Sequence, residues 1–458
     1  MTAEVLSPHD CEAGRGTGTL AAHLLQMRVL YDVSTLGLAH LYQQSRGGSF
    51  RVDLHMAEAL AASSECELLF CANHSTVAYH GCETFLRGHR QLRSVPLIGA
   101  ATTGRSSSLR AAAARVHAGV RRLFGSNVLP AAVRQLGVAI DRRLHPAIGD
   151  GTDPVDVLHS PATPLPPRTY GRSPQRFLTI YDLAHLQFTD LYSPPHQRSV
   201  LAALRSLEPG DHVITASHFS PDELCEHHVA PRERIHVVPL AADPKLFYRC
   251  GDPDVIAAVR HRYGIPDGPY VLSLNSPDPR KNVDHAIQAF ARMAEEGRDA
   301  VVSLVLAGKA GPGSDRIHEA IAQHPALHGR IVLTGYVPDE DLAPLYSGAR
   351  LFVYPSRYEG FGLPPLEAMQ CGTPVITCNT SSLPEVVGDG GVMVDSGDLD
   401  ALSSAMLTMA RAADRAALQE RAEAQARRFS WERSTADTLR TYRTALERDR
   451  SSAGIHHS

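Results

Sequence analysis

The sequence is poor in the features that staple or anchor a chain. Its 458 residues include one tryptophan and 6% aromatics, and its eight cysteines, at 11, 66, 71, 82, 225, 250, 371 and 378, form no C-x-x-C pair and no regular framework. This spacing excludes a disulfide scaffold and predicts reduced thiols in a cytosolic compartment. Long hydrophobic runs are missing as well, since no window approaches the roughly 18 consecutive apolar residues that span a bilayer. Nor does one sign of charge dominate: 45 Lys+Arg face 49 Asp+Glu for a net charge of −4, which excludes a surface that is basic throughout, as a general nucleic-acid binder would have. Histidine is plentiful at 24, yet the adjacent pairs His227-His228 and His456-His457 lack the i, i+4 spacing beside a carboxylate that a hydrolytic metal site uses. No metal site is expected.

At roughly 150 residues per domain the length suggests two or three domains, each large enough to bury its own core. Residues 1–26 carry Glu4, Asp10, Glu12 and several glycines where a secretory signal would have a basic stretch and an apolar run, so a disordered leader is expected, with Met27 a second candidate start beside Met1. From Met27 onward short apolar runs alternate with helical stretches, the pattern of strand-helix units on a parallel sheet. Strands are expected at 28–32, 68–72, 155–159, 177–181, 212–215 and 235–238, then at 270–274, 301–307, 331–334, 351–354, 374–377 and 392–394. Helices are expected at 50–62, 201–207, 283–296, 339–347 and 363–370. Loop chemistry at 243–268, with Asp252-Pro-Asp254 and Pro266-Asp-Gly-Pro269, marks the junction of two doubly wound α/β domains over 27–250 and 251–428. In such sheets the sites lie at the carboxyl ends of the strands.

Two stretches, 91–104 and 149–176, are rich in Pro, Gly, Ser and Thr and read as long loops or lids. The stretch from Ser106 to Phe124 sets Leu109, Ala113, Val116, Val120 and Leu123 on one helical stripe, with Arg110, Arg115, Arg121 and Arg122 around it. It reads as a helix packed on the first sheet, or as a basic amphipathic helix lying on the inner face of an anionic membrane.

The densest motif is Tyr354-Pro-Ser-Arg-Tyr-Glu359-Gly-Phe-Gly-Leu-Pro-Pro-Leu-Glu367. Apolar Leu351-Phe-Val353 feeds a turn bracketed by Gly360 and Gly362, and Pro364-Pro365 suit the first turn of a helix, where missing N–H groups cost nothing. The expected product is a helix N-terminus with free backbone amides, which suits a phosphate. Glu359 is expected in the loop at the mouth, with Glu367 about one turn into the helix and facing the same cavity. Two carboxylates so spaced could serve as glycosidase-like acid and base, or one could accept the hydroxyls of a ribose and the other those of a sugar; the phosphate-type loop favours a nucleotide sugar.

A second constellation, Leu272-Ser-Leu-Asn-Ser-Pro-Asp-Pro-Arg280-Lys281-Asn282, follows the first strand of the second domain. Two cations at a helix start oppose the helix dipole unless an anion is bound, and Arg280 with Lys281 would neutralise a diphosphate without a divalent cation. Three D-x-D triplets, Asp252-Pro-Asp254, Asp339-Glu-Asp341 and Asp398-Leu-Asp400, offer a metal-dependent alternative. They fall in a presumed linker and at helix starts, where acidic residues are ordinary.

Together these residues resemble the retaining glycosyltransferases of family 4. The resemblance covers most of 155–446 and is most specific over 270–395. It implies the GT-B fold, two Rossmann-like domains facing across a cleft, with a closing helix over 429–447, opened by Phe429-Ser-Trp431, returning to the first domain ahead of a disordered tail at 448–458. By resemblance Glu359 and Glu367 match the family's E-x7-E glutamates, and Arg280 and Lys281 its diphosphate-binding pair. Glu367 would contact the donor ribose. Glu359 and the backbone at Phe361, Gly362 and Leu363 would meet the donor sugar and phosphates, and the Gly335-Tyr336-Val337 turn would lie against the nucleobase. Asp182 is kept from the family's His-Asp pair, while Tyr181 stands at the histidine position and His185 follows three residues on. Gly47 and Gly48, two glycines before a helix, are taken as a donor-facing loop.

The expected activity is transfer of a hexose, with mannose favoured, from a nucleotide diphosphate sugar such as GDP-mannose to a hydroxyl acceptor on a growing glycan or lipid-linked saccharide, with retention at the anomeric carbon. Neither a cofactor nor a nucleic-acid partner is expected. The alternative is a non-catalytic nucleotide-sugar-binding protein on the same scaffold, suggested by Tyr181.

Overall fold

The computed structural model describes residues 26–42, 47–72, 75–98, 154–166, 174–192, 194–227, 229–296, 302–309, 311 and 313–455. The stretch 106–124, read from the sequence as a helix on the first sheet or on a membrane surface, lies outside these residues, as do 1–25, 99–104, 149–153, 167–173 and 456–458.

Twelve strands form two wholly parallel six-stranded sheets. The first contains β1 (Met27–Asp32), β2 (Cys66–Cys71), β3 (Val157–Pro161), β4 (Gln175–Thr179), β5 (His212–Thr215) and β6 (Ile235–Val237), in the order β2-β1-β3-β4-β5-β6. The second contains β7 (Tyr270–Leu274), β8 (Ser303–Ala307), β9 (Ile331–Gly335), β10 (Leu351–Tyr354), β11 (Val375–Cys378) and β12 (Gly391–Val394), in the order β12-β11-β10-β7-β8-β9. Most of these strands are short apolar runs covered on both faces, as parallel strands must be; all five residues of β8 and all four of β10 are buried. Every strand expected from the sequence is present, with ends shifted by up to two residues.

Helices supply the covering layers. Val283–Glu296 buries Val283, Ala286, Ile287, Phe290 and Met293, one stripe at i, i+3/i+4 spacing, against the second sheet and the helix Leu399–Arg411. Several helices were not expected, among them Pro253–Arg262, which Asp252 caps and Pro253 opens inside the stretch 243–268 that reads as loop. Ser34–Tyr42 spreads its apolar residues around the helix and shows little periodic contrast, while Thr76–Gly88, on which it packs, follows a polar stretch that reads as loop. The helix expected at 201–207 runs Pro194–Arg205, and the closing helix runs Trp431–Ile455, past residue 447 and into the stretch 448–458 expected as a disordered tail.

The chain enters the second half before Cys250: the Phe247 carbonyl accepts from Gln370 Nε2 at 2.6 Å, and the Cys250 amide donates to Ser347 Oγ at 2.9 Å. The closing helix returns to the first half, where the Tyr442 hydroxyl meets His159 Nδ1 at 2.6 Å and Thr438 lies against Met56.

Sheet order locates the cleft. In the second sheet the winding reverses between β7 and β10, which are neighbours, so the loops that leave them diverge and open a crevice at their carboxyl ends. Residues 275–282 follow β7 and 355–362 follow β10, so both sequence constellations meet at this switch point.

Candidate active site

The loop after β7 makes a 3-10 turn, Pro279–Lys281, capped by the Asp278 side chain and closed by Asn282 in the left-handed region. This turn sends both cations into the loop after β10. Arg280 Nη1 donates to the Tyr358 carbonyl at 2.6 Å and reaches Glu359 Oε2 at 3.3 Å, while Lys281 Nζ donates to Glu359 Oε1 at 2.6 Å. The Tyr354 and Ser356 hydroxyls also donate to Glu359 Oε1, at 2.8 and 2.6 Å. Burial alone would raise the Glu359 pKa, but Lys281 and Arg280 outweigh it and hold the carboxyl below its ordinary value. Arg280 is held well above the usual guanidinium range, since Glu359, Asp182, Tyr192 and Asp278 overcome the cost of its burial.

Glu359 was expected in the loop at the mouth of the cavity, and its contacts turn the carboxylate inward within that loop. Glu359 is 6% exposed and is the common acceptor that fixes both cations. It does not share its surroundings with Glu367. The groups that act on Glu367, the fifth residue of the helix Leu363–Gln370, are Arg51, Asp243 and Asp339, and no side chain hydrogen-bonds its carboxylate among the described residues. Burial, with Asp243 and Asp339 adding to it and Arg51 opposing, pushes the Glu367 pKa up to about 7.

Between the two glutamates the chain turns at Gly362, whose φ of 116° favours glycine. The backbone N–H groups of Gly360, Phe361, Gly362 and Leu363 donate to nothing among the described residues. The Phe361 ring packs edge-on against Phe429 at 5.6 Å, leaving its backbone to face the turn. Ser382 Oγ donates to the carbonyls of Glu359 and Phe361 at 2.8 and 2.7 Å, which clamps the loop from β11's side. Arg280 Nε is buried and likewise without a partner among the described residues.

With the geometry in place, comparison decides the family. Residues 256–429 match the family Glycosyl transferases group 1. The O-antigen chain mannosyltransferase B of Escherichia coli is 35% identical over 309 residues, covering 66% of this chain and 78% of that protein. The chain belongs to the group 1 glycosyltransferases. This glycosyltransferase is also 30% identical to the serotype-specific mannosyltransferase WbdA of Escherichia coli over 255 residues, covering 55% of this chain and 31% of that protein. Among solved structures, a sucrose-phosphate synthase from Thermosynechococcus elongatus superposes with a TM-score of 0.60 at 21% identity, covering 92% of this chain and 99% of that one. The fold is the GT-B arrangement of two Rossmann-like halves.

The N-terminal half of the glycosyltransferase closes on the β10 loop. A Cβ on Gly360 would fall 1.9 Å from the Tyr181 carbonyl and 2.7 Å from Asp182 Cβ, so only glycine permits this approach. Asp182 lies near Arg280 and accepts from the Ala184 amide at 3.1 Å. The Tyr181 hydroxyl donates to Asp53 Oδ1 at 2.5 Å. His185 stacks at 4.2 Å on Tyr192. Gly48 lies against Leu363, where a Cβ would sit 3.3 Å from Cδ1, with Gly47 just before it as the N-cap. Farther along the cleft, Tyr336 is 63% exposed and Val337 is buried, next to Gly335 at φ 69°.

Five of the six D-x-D carboxylates have structural partners, Asp400 through Arg292 and Asp254 being the exception among the described residues. Asp252 and Asp398 cap helices, Asp339 pairs with Arg51, and Asp341 with Arg262 and Tyr263. Residues that the sequence reading missed include Tyr358, whose hydroxyl donates to Glu223 at 2.7 Å and accepts from the Leu183 amide at 3.2 Å, both across the cleft. Asp53, Ser356 and Ser382 were missed as well, because each acts through partners far away in sequence or through a backbone carbonyl.

Proposed function

We propose that this glycosyltransferase transfers a hexose, with mannose the favoured sugar, from a nucleotide diphosphate donor such as GDP-mannose to a hydroxyl of a growing glycan or lipid-linked saccharide, with retention and without a metal or cofactor. The observation that carries the reading is a set of donors awaiting an anion. Four backbone amides, 360–363, open at a helix N-terminus beside Arg280 and Lys281, which Glu359 holds in place. As the donor's glycosidic bond breaks, negative charge grows on the departing diphosphate. Donors already fixed at that point stabilise it without reorganising.

Glu359 organises the two cations and stands in reach of a sugar hydroxyl. Glu367, whose carboxylate has no side-chain hydrogen bond among the described residues, would accept ribose hydroxyls, and the Gly335-Tyr336-Val337 turn, with Tyr336 exposed, would lie against the nucleobase. Asp182 enters from the N-terminal half beside Arg280, where the acceptor would approach. Closure of the halves excludes water that would hydrolyse the donor. The mannose preference is supported by the relatives named mannosyltransferases. Metal independence is supported by the structural roles of five of the six D-x-D carboxylates and the presence of Arg280 and Lys281. A cytoplasmic location is supported by cysteines that lie as free thiols among the described residues; peripheral membrane contact through 106–124 is part of the same reading.

The test is transfer by purified protein from GDP-, UDP- and ADP-sugars to a mannoside acceptor, with and without chelator. An α-linked product from GDP-mannose, unaffected by chelator, is expected. Activity restored only by a divalent cation, or no turnover with any donor, would sink the reading.

A further inference from the structure

Tyr358 stands beside Glu359 in the loop after β10, yet its side chain is held by the first half. The hydroxyl donates to Glu223 Oε2 at 2.7 Å and accepts from the Leu183 amide at 3.2 Å. Phe188 and Phe219 meet the ring edge-on, with centroids 5.7 and 6.0 Å away. Glu223 lies on the helix Ser220–Glu226, and Gln187 Nε2 donates to its other oxygen at 3.1 Å, so the first half fixes this carboxylate by itself. Two segments of the first half, 183–188 and 219–223, thus form a socket in which Tyr358 is 5% exposed. The backbone of the same residue serves the second half. Its carbonyl accepts from Arg280 Nη1 at 2.6 Å and from Ser356 Oγ at 3.2 Å.

We propose that Tyr358 is a positioning residue through which closure of the first half sets Arg280: Glu223 and the Leu183 amide hold the tyrosine hydroxyl, and the tyrosine carbonyl holds the guanidinium. The inference rests on the assignment of Arg280 to the departing diphosphate. Lys281 is fixed by Glu359 within the second half alone. The Arg280 guanidinium differs, because its contacts to Glu359 and Asp278 are long, at 3.3 and 3.4 Å, and its shortest hydrogen bond goes to a residue that the first half grips. With the halves apart the ring leaves its socket, and the carbonyl that receives the guanidinium loses the anchor on its own side chain. A donor out of place by a fraction of an ångström stabilises a developing charge poorly. Full stabilisation of the leaving group therefore waits for a shut cleft, from which water is excluded.

The experiment measures steady-state transfer to a mannoside by the full-length protein, with whichever of GDP-mannose, UDP-glucose and ADP-glucose turns over, beside thermal unfolding. Tyr358→Phe keeps the ring and the carbonyl and removes the hydroxyl. Its kcat is expected to fall about tenfold, the scale of one hydrogen bond to a charged group, with the donor KM within about twofold of wild type. The loop amides and Lys281 still hold the ground-state diphosphate, which is why KM should stay. A packing defect would lower the melting temperature and leave the kcat of the folded enzyme unchanged. Glu223→Gln keeps an acceptor for the hydroxyl and should retain most of kcat, whereas Glu223→Ala should match Tyr358→Phe and add nothing to it in the double variant. Wild-type kcat in Tyr358→Phe, a loss confined to KM, or losses from Tyr358→Phe and Glu223→Ala that simply multiply would overturn the proposal. Wild-type kcat in Arg280→Ala would instead overturn the diphosphate assignment, whatever Tyr358→Phe does.

Discussion

Glu359 is a buried carboxylate whose charge is matched by two cations and two hydroxyls, so every substitution around it acts on both folding and turnover. Lys281→Ala leaves Arg280, Tyr354 and Ser356 on the carboxylate, and the fold should survive with a lower melting temperature. Turnover should fall on the order of 100-fold, the scale of losing one fixed charge at a developing anion. Steady-state kinetics beside thermal unfolding separates the two, and a variant with wild-type kcat would remove Lys281 from the leaving-group site. Asp53 gives a second residue-scale prediction, with a pH dependence. Burial pushes its pKa up to about 7, against the hydrogen bonds from Thr35 and Tyr181. A folded-state pKa above the unfolded value means stability that is full in acid and lost as pH rises through about 7. Asp53→Asn should therefore remove this one contribution, raising melting temperature relative to the wild type progressively between about pH 4 and about pH 7, on top of the acid limb that other groups set. A difference between variant and wild type that stays constant over that range would assign the titration to other groups.

At the scale of elements, the legible parts were those with a local signal. The strands could be placed because a run buried on both faces needs no partner to be recognised, and the helix Leu363–Gln370 because Gly362 and Pro364-Pro365 punctuate its start. Ser34–Tyr42 was illegible because its apolar residues are spread around the helix instead of gathered on one face, which removes the contrast that marks a period. The candidate residues divide the same way. Arg280, Lys281 and Glu359 could be singled out by type and setting, but the pairing of Lys281 with Glu359 spans 78 residues, and that of Arg51 with Asp339 spans 288. No spacing rule reaches that far. The closing helix carries the prediction of this scale. Tyr442 is fully buried, and its hydroxyl meets His159 Nδ1, whose other nitrogen pairs with Thr179 at 2.7 Å. Tyr442→Phe orphans a buried ring nitrogen and should cost about 1–3 kcal/mol. Denaturant unfolding would show it as a lower midpoint, and an unchanged midpoint would mean that the hydrogen bond contributes nothing net.

For the molecule as a whole, acid is the weak side. Burial lowers the pKa of His159 and His212 to about 3 and that of His236 to about 4, with Arg234 and Arg448 adding to it at His212 and His236. Groups depressed in the folded state contribute stability above about pH 6.5 and lose it as pH falls toward these values. Melting temperature should drop steadily below about pH 6, and His236→Gln should soften the drop. If the acid limb were unchanged in that variant, the titration would belong elsewhere.

The return of the helix Trp431–Ile455 to the first sheet also orders events during synthesis. Residues 27–237 build that sheet, yet the side chains that finish its core, Thr438 and Tyr442 among them, leave the ribosome only after the whole second sheet has been made. The first half must wait, partly open, while the second folds as a unit beside it. The segment that closes the enzyme in space is therefore also the one that completes it in time, and a chain stopped near residue 430 would contain a finished second half attached to an unfinished first.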